Sequence, residues 1–152
     1  MSRVDDRTGA AEKGEQEAYV LDAQIGFLLR LANQRHALIF LEHAVMDLTP
    51  TQFAVLVRLL DDGPCSQNEL GRRTAMDVAT IKGVVERLRD KGLVSLNPDP
   101  NDKRRKTISI AGPGEQLRPT LHEMGHRITE ETLSPLTRAE RATLLRLLSK
   151  LT

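Results

Sequence analysis

The 152-residue sequence has no tryptophan, one tyrosine, three phenylalanines and one cysteine. With so few rings, any core has to be packed from Leu, Val and Ile. The lone Cys65 excludes an internal disulfide. No apolar run is long enough to span a bilayer and no apolar signal segment follows the first residues, so the chain reads as cytoplasmic with no membrane partner. A dominant sign of charge is missing as well. The sequence has 22 Lys and Arg against 21 Asp and Glu, a net +1, and so weak a field does not by itself argue for nucleic acid. The distribution says more: residues 66–106 hold ten Lys or Arg against six Asp or Glu, whereas the first seventeen lean acidic. Hydrophobic residues make up 39%, enough for a core, and the length is one domain's worth of chain, or one domain plus a dimerisation layer.

The chain is organised around residues 66–110. Ser66 followed by Glu69 is a capping box that opens a short helix running to about Arg73. Thr74-Ala75-Met76 is a tight connection, and Asp77 is placed to cap a second helix by accepting from the Thr80 amide. Ile81, Val84, Val85 and Leu88 fall at helical spacing and form the buried face of that helix. Thr80, Lys82, Gly83, Glu86, Arg87 and Arg89 are left outside. Gly92 suits the left-handed residue that closes a helix. Leu93–Leu96 and Thr107–Ile110 are strand-like runs around a loop tipped by Lys103-Arg104-Arg105-Lys106. Two helices, a turn and a hairpin describe a winged helix-turn-helix, whose second helix has the width of a DNA major groove.

These residues also carry a resemblance. Leu48-Thr49-Pro50-Thr51-Gln52-Phe53, Gly71-Arg72-Arg73-Thr74, the stretch from Thr80 to Leu88, Lys91-Gly92-Leu93-Val94 and the acidic-then-basic run Asp99–Arg104 resemble, in order and spacing, the MarR family of bacterial transcription regulators. The similarity extends from about Tyr19 onward. The run from Ser66 to Asp77 is similar to the branch that controls nicotinate-type catabolism. The resemblance implies a homodimer formed through the terminal helices and an organic effector, many members responding to phenolic or aromatic carboxylates.

The fold expected is mainly α with a small β-hairpin wing, a winged helix-turn-helix plus a helical dimerisation layer. Residues 1–17 read as a disordered tail. Residues 18–47 and 112–152 read as dimerisation helices and 48–111 as the DNA-binding domain. From about Glu17 to Val45 the apolar period describes one long helix, broken at Asp47-Leu48-Thr49-Pro50, and Pro50 suits the first turn of the next helix. Asp61-Asp62-Gly63-Pro64 reads as a turn. Ala111-Gly112 stands where the family keeps a capping Thr followed by Pro, so the next helix is expected to start late. Pro119 either sits in its first turn or bends it. Thr137 and Glu140 form a further capping box, followed by more leucines than a small core can bury, which points to an intersubunit face.

The string His122-Glu123-Met124-Gly125-His126 matches HExxH. Thr132 stands where the extended form of that motif needs a third ligand, and no residues remain to build a second lobe, so a protease is excluded and no enzyme activity or cofactor is expected. Two His one turn apart can still chelate a metal, and His36, His122 and His126 are the ligands of an alternative, zinc-responsive reading. Cys65 lies near Asp61 and Asp62, which discourage a thiolate. The basic side chains act together: Asn68, Arg73, Asp77, Ala79, Thr80, Lys82, Gly83, Arg87, Lys103, Arg104 and Arg105 are the expected DNA-binding set. Within it Ala79 faces a thymine methyl and Lys82 a guanine, while Asp102 pairs with Arg104 to fix the wing. Arg30, Asn33, His36 and Phe40 with Phe53, joined by His122 and His126, are the expected pocket for a small aromatic carboxylate. The partner is double-stranded DNA carrying a pseudopalindromic operator with half-sites about 10 bp apart.

Overall fold

The computed structural model describes residues 17–152, so all but the last residue of the expected N-terminal tail lies outside the described part. Two compact units are formed, one through Asn33 and one from Gln34 to Thr152.

In the first unit a 3-10 turn over Leu21–Ala23 is followed by Gln24 in extended conformation, and then α1 (Ile25–His43) begins. This corrects the single helix expected from Glu17 to Val45. The Gln24 side-chain amide turns back to donate to the Val20 carbonyl at 2.9 Å, while the Gln24 carbonyl accepts the Leu28 amide. Tyr19, Leu21, Ile25, Leu28, Leu29 and Leu31 are all exposed.

In the second unit the caps set the element boundaries. Thr49 and Gln52 form a reciprocal capping box that opens α2 (Pro50–Asp62), with Pro50 in its first turn. α2 therefore absorbs Asp61 and Asp62, which the sequence pattern places in a turn. Ser66 accepts the Glu69 amide and opens α3 (Gln67–Arg73), and Asp77 accepts the Thr80 amide and opens α4 (Val78–Asp90). β2 (Val94–Pro98) and β3 (Lys106–Ile110) form the expected hairpin, with Val94 opposite Ile110 and Pro98 opposite Lys106. A third strand has no counterpart in the sequence pattern: β1 (Cys65–Ser66) pairs with Ile108 and Thr107, giving the order β1-β3-β2.

After the wing, Ala111 offers no side-chain cap, and a 3-10 stretch, Gly112–Leu117, precedes α5 (Arg118–Thr132). The late start is as expected, and Pro119 sits in the first turn. α6 (Arg138–Leu148) opens on the Thr137–Glu140 box and has no buried residue.

Leu56, Leu70, Ile81, Leu88, Ile108 and Leu121 are fully buried, two of them from α4 and one each from α2, α3, β3 and α5. Burial of each such side chain contributes roughly 1.5–3 kcal/mol. That core fixes α4 from behind, through Ile81, Val84, Val85 and Leu88, and leaves its opposite face bare. Among the described residues no helix is long and apolar enough to cross a membrane.

Candidate DNA-binding face and ligand cavity

The bare face of α4 starts at Asp77, whose carboxylate accepts the Thr80 amide at 2.7 Å. That bond holds its carboxyl below the usual carboxylate range and commits it to the helix end. Beyond it Ala79, Thr80, Lys82 and Arg87 are exposed. So is Val78, at 68%. Val78 escapes detection in the sequence because a β-branched apolar residue close to Val84 and Val85 looks like core, yet it stands bare at the helix start. Gly83 lies on the same face, and a β-carbon there would meet only the Arg87 Nη1, at 3.7 Å.

The wing explains its own acidic-then-basic order. The Asp99 carboxylate accepts the Asn101 amide at 2.8 Å and the Asp102 carboxylate accepts the Arg104 amide at 3.0 Å. The acids thus shape the loop by binding backbone, and Lys103 and Arg104 project outward. Asp102 pairs with the side chain of Arg105, at 3.9 Å, and not with that of Arg104 as expected. At the foot of the wing a polar recess of about 500 Å³ is lined by Gln67, Asn68, Arg72, Arg105 and Lys106, with Ser66. Three cations, Arg72, Arg105 and Lys106, thus border one recess between α3 and β3, with Arg72 also bonded to Glu69. Arg73 is differently placed: it binds Glu69 at 2.9 Å and lies 4.0 Å from Asp62. Hydrogen bonds from Arg72 and Arg73 hold the Glu69 carboxyl below its usual range, so Arg73 braces the head internally.

The cavity lies between α1, α2 and α5. Its volume is about 560 Å³, and it is lined by His36, Phe40, Pro50, Phe53, Val57, Leu121, His122, Gly125, His126, Ile128 and Thr129. Of the expected effector residues, His36, Phe40, Phe53, His122 and His126 come together here. Arg30 and Asn33 belong to the first unit, where the Arg30 guanidinium lies 5.6 Å from the centroid of the Phe27 ring. Phe40 and Phe53 meet edge to face with centroids 5.9 Å apart. Gly125 lets Phe53 approach α5, since a β-carbon there would be 3.2 Å from its Cζ. Two of the imidazoles are oriented by partners: His36 Nδ1 lies 2.9 Å from the Thr132 hydroxyl, and His122 Nε2 lies 2.9 Å from Asp61, which also pairs with Arg118 at 3.5 Å. Asp61 gives no sign in the sequence because its role depends on a residue 61 positions away. The three histidines line one cavity, His36 from α1 and the other two from α5, yet among the described residues no three His, Cys, Asp or Glu side chains converge as a metal site. Cys65 lies outside both sites; burial pushes its thiol up, and the nearby Glu69 and Asp62 carboxylates push the same way.

Residues 46–105 match the sequence profile of the MarR family. The chain is 42% identical over 134 residues to the HTH-type transcriptional repressor NicR of Pseudomonas putida, covering 88% of this chain and 85% of that one. It belongs to the MarR family. The MarR architecture accounts for the whole described arrangement, and solved relatives agree with it. One is Bordetella bronchiseptica BpsR, described with a mechanism for regulation of its DNA binding by 6-hydroxynicotinic acid. It is 37% identical with a TM-score of 0.83, over 88% of this chain and 96% of that one. A mutant MarR from Escherichia coli complexed with operator DNA is 30% identical with a TM-score of 0.75, over 83% and 91%. The MarR relatives NicR and HosA, the latter 29% identical over 110 residues, are a transcriptional repressor and a transcriptional regulator, not enzymes, and of the HExxH string His122, Gly125 and His126 line the cavity.

Proposed function

We propose that the chain is a cytoplasmic, homodimeric repressor that releases its operator when a small aromatic carboxylate enters the cavity between α1, α2 and α5. The observation that carries this reading is the lining of that cavity: imidazoles of His36, His122 and His126 around the edge-to-face pair Phe40 and Phe53. Flat apolar walls hold an aromatic ring, and imidazoles at the margin bind a carboxylate or a ring hydroxyl. A hydroxylated nicotinate is the candidate, supported by the similarity to NicR and to a regulator that responds to 6-hydroxynicotinic acid. Two subunits would meet through the exposed apolar side chains at both ends of the chain, Tyr19 to Leu31 and Leu145 to Leu151, each presenting one α4 to successive major grooves of a pseudopalindromic duplex.

The effector acts by preferring the arrangement of heads that does not fit DNA. It shifts the equilibrium only by that preference, and roughly 100-fold, about 2.7 kcal/mol, is ordinary allosteric strength. The test is fluorescence anisotropy on a duplex from the gene's own upstream region, with 6-hydroxynicotinate, nicotinate, benzoate and zinc compared. Release by the hydroxylated acid, lost in H36A and H126A, is the expected result. Release by zinc alone, abolished by H122A, would replace this reading with the metal-responsive one.

A further inference from the structure

Where α1 gives way to α2, Met46 and Asp47 both adopt left-handed backbone, with φ of 56° and 53°. Neither is glycine, and a β-carbon makes this conformation costly. The Leu48 amide closes the turn on the Val45 carbonyl at 3.1 Å, and Lys91 adds a second hold from outside it. Its ammonium donates to the carbonyls of Met46 and Asp47, both at 3.0 Å, and to the side-chain oxygen of Gln52 at 3.2 Å. Three donors meet three oxygens, and the ammonium is fully used. None of the three is a carboxylate, so this is a charge-assisted clamp on backbone and amide rather than an ion pair. Gln52 is only 4% exposed, the single buried polar side chain among the described residues, and its oxygen also accepts the Thr49 amide in the α2 capping box. The third acceptor is therefore preformed by the start of α2.

Lys91 is itself the residue that ends α4, its amide bonded to the Arg87 carbonyl, and Gly92 follows at φ 73°. The side chain thus ties the far end of the DNA-reading helix to the corner where the cavity helix α1 stops. It does so with an exposed cation whose three donors are all taken up within the chain.

We propose that Lys91 is a positioning residue for DNA recognition: it fixes the pitch of α4 by clamping the α1–α2 corner, and it does not contact phosphate. The inference rests on the DNA-binding role of the head and is independent of which effector fills the cavity.

The experiment measures binding of the full-length chain to operator and to scrambled duplex over a range of salt concentrations, for the unmodified chain, K91M and K91R. K91M is expected to bind operator about tenfold more weakly, with scrambled-duplex affinity and the salt slope unchanged. K91R, which keeps the donors, should stay within about threefold of the unmodified chain. A lysine that touches DNA gives a different result: affinity for both duplexes falls and the slope decreases by about 0.9 for each phosphate no longer neutralised. That outcome, or operator affinity unchanged in K91M, overturns the proposal. So does an equal loss in K91R, which would mean that the site tolerates no substitution at all. If K91M does not fold, K91Q, with one amide donor, carries the same comparison. An effector that proves inert would sink the effector reading and leave this result standing, so the two failures are distinguishable.

Discussion

Gly83 offers a substitution in which stability and function should move in opposite directions. It lies in the interior of α4, where glycine costs about 1 kcal/mol relative to alanine through backbone entropy. A methyl group there meets only the terminal nitrogen of Arg87, at an ordinary 3.7 Å, so no clash offsets the gain. G83A should therefore stabilise the chain by about 1 kcal/mol, which for a domain of this size raises the melting temperature by about 2–4 °C. The same methyl points away from the core, one turn beyond Ala79 and Thr80 on the face offered to DNA. If that face seats in the groove, operator affinity should fall by about tenfold, or 1.4 kcal/mol. The assays are thermal unfolding by circular dichroism at one fixed protein concentration, since association shifts the midpoint, and operator titration by anisotropy. A lowered melting temperature would show that the site is more crowded than its neighbours indicate. A raised melting temperature with unchanged operator affinity would remove Gly83 from the DNA-facing surface and refute the assignment of that surface.

Other consequences can be checked as directly. G125A places a methyl 3.2 Å from the Phe53 Cζ, so the ring must yield by a few tenths of an ångström; calorimetry should show severalfold weaker binding of the aromatic acid, with operator affinity in its absence unchanged. Reversing charge at Lys103 and Arg104 should reduce the magnitude of the salt slope of operator binding by about 0.9 for each phosphate that the wing ceases to neutralise, and an unchanged slope would place the wing off the backbone. The Asp77 carboxyl is held below its ordinary value by the Thr80 amide. Its folded value is thus lower than its unfolded one, about 3.9, so its contribution is complete above that pH and disappears as pH falls through the folded value. D77N, which caps without titrating, should give a flatter dependence of melting temperature on pH in that window, and parallel curves would contradict the assignment. Burial keeps the Cys65 thiol protonated, so mild peroxide should leave operator binding as it is in C65S.

What can be read from the sequence is what is encoded within one turn of helix. The Ser66–Glu69, Asp77–Thr80 and Thr137–Glu140 caps, the buried stripe from Ile81 to Leu88 and the basic wing tip depend on neighbours three or four residues away, and each is legible. The features that escape depend on distant partners. β1 is two residues long and exists only because Ile108 and Thr107 pair with it. Asp61 is legible as a polar turn residue and not as the anchor of His122. His43, which binds Glu131, gives no sign, because a histidine near a helix end has no distinctive pattern. The break at Gln24 depends on a side chain turning back on its own backbone, which periodicity does not register. The cavity set is half legible for the same reason: apolar spacing selects Phe40 and Phe53, while Val57, Leu121 and Ile128 look like ordinary core.

The exposed leucines in and just after α6 also bear on how such a regulator would be titrated in the cell. A solitary polypeptide would carry Leu145, Leu147 and Leu151 bare in water, so pairing and operator occupancy would both depend on copy number. At low copy number the duplex would be vacated twice over, once through mass action on the DNA and once through dissociation of the pair, and the response of the gene to dilution of its regulator would be steeper than a single binding site gives.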